Sequence, residues 1–223
     1  MVKDGGMKKD DAIFNVLRDY IKKSKKIRFE GDGYGDAWQD EAKKRGLSNN
    51  KTTPQALKAK VSKQTIDLYK EMKVMNKREV EARHEIELED YSMRIQIEGR
   101  ILGDIARNHV IPTCIRYQNV LIENVRGLKE IFEKDFKKHS KEQIGIIEAI
   151  SGHIEQINAD INKMVDARKK ANVIEDAEER AFAYCDNVKP YFETIRYHCD
   201  KLELLVDDEI WPLTKYRELL FTR

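Results

Sequence analysis

Apolar positions along this chain change their spacing once. From about residue 76 onward they recur every three or four positions for tens of residues, the helical period carried on a narrow stripe. Asn76 can cap such a helix, with Glu79 at the third helical position to complete a capping box, and no breaker follows before Pro112. Val80, Leu88, Tyr91, Ile95, Leu102 and Ile105 lie on its stripe at near-heptad spacing. Pro112 is expected to kink this rod or to begin a second one through Ile115, Leu121, Val125 and Leu128 to about Phe136. Ser140 is placed to cap the next helix, whose Ile144, Ile147, Ile150, Ile154, Ile157, Ile161 and Met164 form the narrow seam of a coiled coil. A last rod over 176–207 carries Ala181, Tyr184, Val188, Tyr191, Ile195, His198, Leu202 and Leu205, with a bend at Pro190. The prediction is an all-α fold, three or more long antiparallel helices in a coiled-coil-like bundle.

Before residue 76 the pattern is short and broken. A helix is expected over 11–25, with Ile13, Val16, Leu17, Tyr20 and Ile21 on one stripe and Asp10 or Asp11 as its cap. Ile27, Arg28 and Phe29 read as a brief extended piece. Gly31, Gly33 and Gly35 then mark a turn with positive φ. A helix over 36–45 is expected to stop at Gly46, and two more fit 54–60 and 62–72, the latter capped by Ser62. These readings divide the chain into a tag-derived or disordered start (1–10), a region of short helices (11–75) and the helical bundle (76–223). After the last rod, Trp211, Pro212, Tyr216, Leu219, Leu220 and Phe221 gather within eleven residues. A terminus this apolar is expected to dock on another surface, which makes these six the candidate interaction residues.

Composition changes the picture mainly by exclusion. With 37% charged residues and 42 Lys+Arg against 40 Asp+Glu, the net charge is +2 and the signs alternate without long blocks. Nucleic acid is therefore a poor partner. Nothing approaches the roughly 20 apolar residues that span a bilayer, so a membrane is a poor partner too, and a cytoplasmic protein is expected. Cys185 and Cys199 would lie about 21 Å apart on one helix, far beyond disulfide reach, and with Cys114 they read as reduced thiols.

Candidate chemistry is thin. Glu81 and His84 have the i, i+3 spacing of a di-iron bundle, but such a site needs two of these pairs and further carboxylates, so the pair reads as a solvated helix face. The glycines at 31, 33 and 35 lack the Lys-Ser/Thr of a P-loop. His84, His109, His139, His153 and His198 show no metal-ligand spacing, and His198 falls on an apolar seam. The cysteines sit in no nucleophile signature. No catalytic, cofactor or metal residue is assigned.

Taken together, Ile27-Arg28-Phe29-Glu30-Gly31-Asp32-Gly33-Tyr34, Glu41-Ala42-Lys43-Lys44-Arg45-Gly46-Leu47, Ala56-Leu57, Val74, Arg83, Glu85-Ile86, Leu88-Glu89 and Tyr91 resemble the closing stretch of the catalytic domain of type III glutamine synthetases. Ile95, Ile97-Glu98, Ala106, Ile111-Pro112 and Tyr117 resemble the helical extension that follows it in that family. Trp211-Pro212, Tyr216 and Glu218-Leu219-Leu220-Phe221 are similar to its ending. The family tends to carry Pro and Thr where this chain has Thr214 and Lys215, and Ala in place of Gly99.

The resemblance implies that 11–75 is the end of a catalytic domain whose metal-binding glutamates, arginines and flap lie in an amino-terminal region outside this sequence. It further implies a parent reaction joining ammonia to glutamate with ATP and Mg²⁺ or Mn²⁺, no cofactor site in this chain, and identical subunits together with the missing catalytic region as partners. The expected role is a structural, oligomer-building region inactive by itself. The alternative is an autonomous helical module that docks through Trp211 to Phe221.

Overall fold

The computed structural model describes residues 5–221. Among them no strand occurs, and the all-α class stands. The chain forms two compact units that divide between Lys51 and Thr52.

The first unit holds α1 (Lys9–Lys23), a 3₁₀ turn (Lys25–Ile27) and α2 (Asp36–Arg45). α1 starts two residues earlier than 11 and ends before Lys25. Lys8 stands at its cap, so Asp10 and Asp11 lie inside the first turn, where their charge favours the positive end of the helix dipole, and neither caps it. Ile27 belongs to the 3₁₀ turn, and the chain becomes extended only at Arg28. Positive φ is absent from Gly31, Gly33 and Gly35, contrary to expectation. The turn is made instead by Asp32, whose Oδ1 accepts from Tyr34 N at 2.9 Å while its carbonyl accepts from Gly35 N at 3.3 Å. An aspartate that mimics a backbone turn leaves nothing for left-handed glycines to do. Gly46 does adopt φ 68°, ending α2 as expected. Arg45 ties the unit together by donating to Glu41 Oε1 at 2.6 Å and to the carbonyls of Lys26 and Arg28.

The second unit begins with α3 (Thr53–Lys60) and α4 (Lys63–Glu71), the latter capped by Ser62 Oγ accepting from Thr65 N. Both pack on the first rod, α5 (Lys77–Ile105), within the same compact unit. Asn76 and Glu79 form the expected capping box at 3.0 and 2.7 Å. α5 continues through a π turn (Ala106–Val110) into α6 (Ile111–Phe132). A second π turn (Tyr184–Val188) joins α9 (Ala177–Ala183) to α10 (Pro190–Leu205). Each π turn lies just ahead of a proline, Pro112 or Pro190. A proline in a helix has no N–H to donate and its ring collides with the carbonyl four residues back. Widening the preceding turn by one residue relieves that collision while the rod continues.

From Val110 the inward positions of α6 fall at Cys114, Leu121, Val125 and Leu128; Ile115 lies one residue off this stripe and stays 46% exposed. α6 stops at Phe132, short of Phe136, because Glu133 reverses the chain at φ 40°. A 3₁₀ turn (Glu133–Asp135) and α7 (Phe136–His139) then lead into α8 (Lys141–Asn172). Ser140 does not cap α8 with its side chain. Its buried hydroxyl donates back to Phe136 O at 2.7 Å, closing α7.

Polar contacts fix the direction of the rods. Gln96 meets Asn172, Arg107 meets Asn162, Gln118 meets Ser151 and Asn124 meets Gln143, so α8 runs antiparallel to the second half of α5 and to α6. Tyr184 meets Asn172 and His198 meets His153, so α9 and α10 run antiparallel to α8. The core between the rods takes in Leu88, Ile95, Val110, Ile150, Ile157, Ile161, Met164, Tyr184, Ile195 and Leu202. Each such side chain taken from water adds about 1.5–3 kcal/mol.

Two glycines sit where α5 approaches α8 and α10. A methyl added at Gly103 would meet Met164 Cε at 3.6 Å and Ile161 Cγ2 at 3.7 Å, ordinary contacts. Gly103→Ala is therefore expected to raise stability by about 1 kcal/mol in urea unfolding. At Gly99 the methyl would come within 3.2 Å of Phe192 Cε1, so the ring must give and Gly99→Ala gains less. A loss of stability in Gly103→Ala would contradict this packing.

Candidate functional site

The candidate chemical groups are dispersed. Glu81 is exposed and pairs with Lys77 at 3.4 Å, as a solvated face requires. His84 does not share that face. It is only 8% exposed and occupies a core position between Val80 and Leu88, with Nε2 3.9 Å from Glu178 Oε2 and Nδ1 without a hydrogen-bond partner. Lys58 Nζ holds the same Glu178 at 2.7 Å, so α3, α5 and α9 meet at one charged cluster. Among the described residues no group of three or more His, Cys, Asp or Glu converges as metal ligands do. The donor set thus does not fit the Mg²⁺ or Mn²⁺ of the implied parent reaction, which needs several oxygen ligands at one point.

The cysteines are all free. Burial, reinforced by Cys199, pushes the Cys114 thiol up to about 12, and burial with Asp200 beside it pushes Cys199 up to about 11. Both stay protonated at neutral pH, the opposite of an activated nucleophile. Of the five histidines, His153 and His198 face each other, from α8 and α10. Sequence spacing could not reveal this pair, since its members are 45 residues apart. A groove of about 840 Å³ between α8 and the π turn before α10 is lined by Asp160, Asp166 and Asp186 together with Lys163 and Lys170. Its charges alternate in sign and converge on no common point.

Apolar surface is the more informative feature. On α1, Ile13, Phe14, Leu17, Tyr20 and Ile21 are 47–69% exposed. On α5, Ile86, Met93, Ile97 and Ile101 are 47–63% exposed and form one stripe on the side turned away from Leu88, Tyr91 and Ile95. This second stripe was hidden in the sequence because the inner seam already accounts for the helix. The signal available was a second set of apolar residues at steps of seven, four and four.

The terminal cluster splits. Trp211 packs against the bundle core, its Nε1 buried without an acceptor, after a turn in which Asp207 O accepts from Ile210 N and Trp211 N. Pro212 follows it on the surface. Lys215 pins the segment by donating to Glu203 O at 3.0 Å and to Asp208, which Arg217 also engages. The Lys215 hydrogen bond, with help from Arg217, holds the Asp208 carboxyl below the usual range. Tyr216 opens α11 (Tyr216–Leu219), and its side chain lies outside the described residues. Leu219, Leu220 and Phe221 are 56%, 62% and 81% exposed.

Comparison with known proteins gives this geometry its context. The profile of the glutamine synthetase C-terminal domain matches residues 12–129. A glutamine synthetase of Bacteroides fragilis is 46% identical over 219 residues, which cover 98% of this chain and 30% of that protein. A type-3 glutamine synthetase of Dictyostelium discoideum is 29% identical over 95% of this chain and 29% of its own length. A glutamine synthetase of Butyrivibrio fibrisolvens is 27% identical over 95% of this chain and 30% of its own length. The chain thus spans about 30% of the length of these relatives. With a matching profile over more than half its residues and motifs in the order of the type III enzymes, the chain belongs to the glutamine synthetase C-terminal domain family.

Proposed function

We propose that this chain is the carboxy-terminal structural region of a cytoplasmic type III glutamine synthetase, building contacts to the rest of the enzyme and between identical subunits and carrying no turnover alone. The supporting observation is uncovered apolar surface, beside described residues that gather no metal-type ligand cluster. The α1 stripe expected to lie against a catalytic domain is open to water, and so is the outer stripe of α5. An isolated soluble domain seldom keeps two such stripes exposed. On this reading, residues 11–75 rest on the catalytic domain and the rods extend from it. ATP, glutamate, ammonia and Mg²⁺ or Mn²⁺ would be handled by the catalytic region.

A synthetase assay of the purified chain with those substrates is expected to give no glutamine; turnover would refute the reading. Self-association is expected to rest on the outer stripe of α5. Ile97→Asp, placed on the exposed stripe, should leave the unfolding free energy of the monomer within about 0.5 kcal/mol. It should also reduce the mass measured by light scattering to that of the monomer. A wild-type chain that is already monomeric would remove the oligomer-building part of the proposal.

A second reading, an autonomous module docking through its terminus, is favoured by the exposure of Leu220 and Phe221. It assigns different roles within one segment. Trp211→Ala, which strips an anchor from the bundle, is expected to cost about 2 kcal/mol. Phe221→Ser is expected to change stability by less than about 0.5 kcal/mol and to abolish capture of any partner that uses this end. Equal destabilisation by both, measured by thermal unfolding, would mean that the whole tail is core.

A further inference from the structure

α8 and α10 share the most extensive contact in the bundle, and one polar pair lies within it. His153 Nδ1 and His198 Nδ1 stand 2.8 Å apart, both rings half-buried. The ring centroids are 5.1 Å apart, so each Nδ1 lies near the line joining the ring centres and the two nitrogens meet head on. Such a contact is a hydrogen bond only while one nitrogen carries a proton and the other offers its lone pair. Two protons on that line would bring two imidazolium cations nose to nose at a contact only partly screened by water.

We propose that this facing pair makes the α8–α10 contact sensitive to acid: the contact holds while a single proton lies between the two Nδ1 atoms and loosens when both rings become cations. Its surroundings reinforce the effect. Burial, His198 and Lys201 all lower the proton affinity of His153. Lys201 and Tyr197 come from α10, with Tyr197 edge-on to His198 at 5.1 Å. Asp200, the nearest carboxylate along α10, is engaged by Arg196 at 3.5 Å, and no carboxylate contributes to the shift of His153. On the α6 side Gln118 donates its amide to Ile147 O and Ser151 Oγ. The sign follows from linkage. A histidine whose folded proton affinity is lowered contributes stability that is present above its unfolded pKa, roughly 6.5, and is lost as pH falls through the folded value.

The test uses the full chain. Its thermal midpoint is expected to fall between pH 7.5 and pH 5.5, with most of that fall absent in the double variant His153→Gln, His198→Gln. In NMR titration, the midpoint of the His153 ring is expected to move up in His198→Gln, because one neighbouring cation is gone. The single variant decides the matter if the double variant does not fold. An acid-induced fall in midpoint as large in the double variant as in the wild type, or a His153 titration unmoved by His198→Gln, would overturn the proposal.

Discussion

The isoleucine seam of α8 cannot be kept from water by α8 itself, and the rest of the bundle follows from that constraint. Ile150, Ile157 and Ile161 are fully buried, which requires a rod on each side at close packing distance. α5 with α6 supplies one neighbour and α9 with α10 the other. Hydrophobic burial is non-directional, however, and a stripe of isoleucines would pack on a neighbouring rod in either sense. Direction and register come from sparse polar contacts set along the seam, Gln96 to Asn172, Gln118 to Ser151 and His153 to His198 among them. Each is modest in energy, but a slip of one turn would break all of them together.

Long rods also create a problem of length, since no straight helix with interior prolines stays intact. The two π turns solve it by the same device at Pro112 and Pro190. Ala106 and Val110 in the first, and Tyr184, Cys185 and Val188 in the second, are all buried. The interruptions therefore sit inside the packed core and keep the rods continuous. They also set which residues face inward beyond them, which is how Cys114 comes to occupy the core while Ile115 does not.

What the bundle leaves uncovered bears on its role. A face packed with isoleucine and methionine on α5 and a phenylalanine and leucine stripe on α1 cost solubility in a free domain and gain their energy only against another surface. By contrast, the buried groups of the bundle are quiet: Cys114 and Cys199 are held protonated and His84 is caught between core and Glu178. The facing histidines are the exception, because their contact depends on a count of protons.

Sequence alone determined the local features, because these depend on neighbours a few residues away. The capping box at Asn76, the stop at Gly46, the Ser62 cap and the inner seams of α5, α8 and α10 follow from spacing and from backbone chemistry. The motif order also carried the family. Tertiary structure decided what spacing cannot encode. Asp32 and not the glycines makes the turn, Ser140 closes the helix behind it, Trp211 turns inward while Phe221 stays out, and two histidines 45 residues apart share one line. In each of these cases several local conformations are close in free energy, and the choice among them falls to packing against elements distant in the chain.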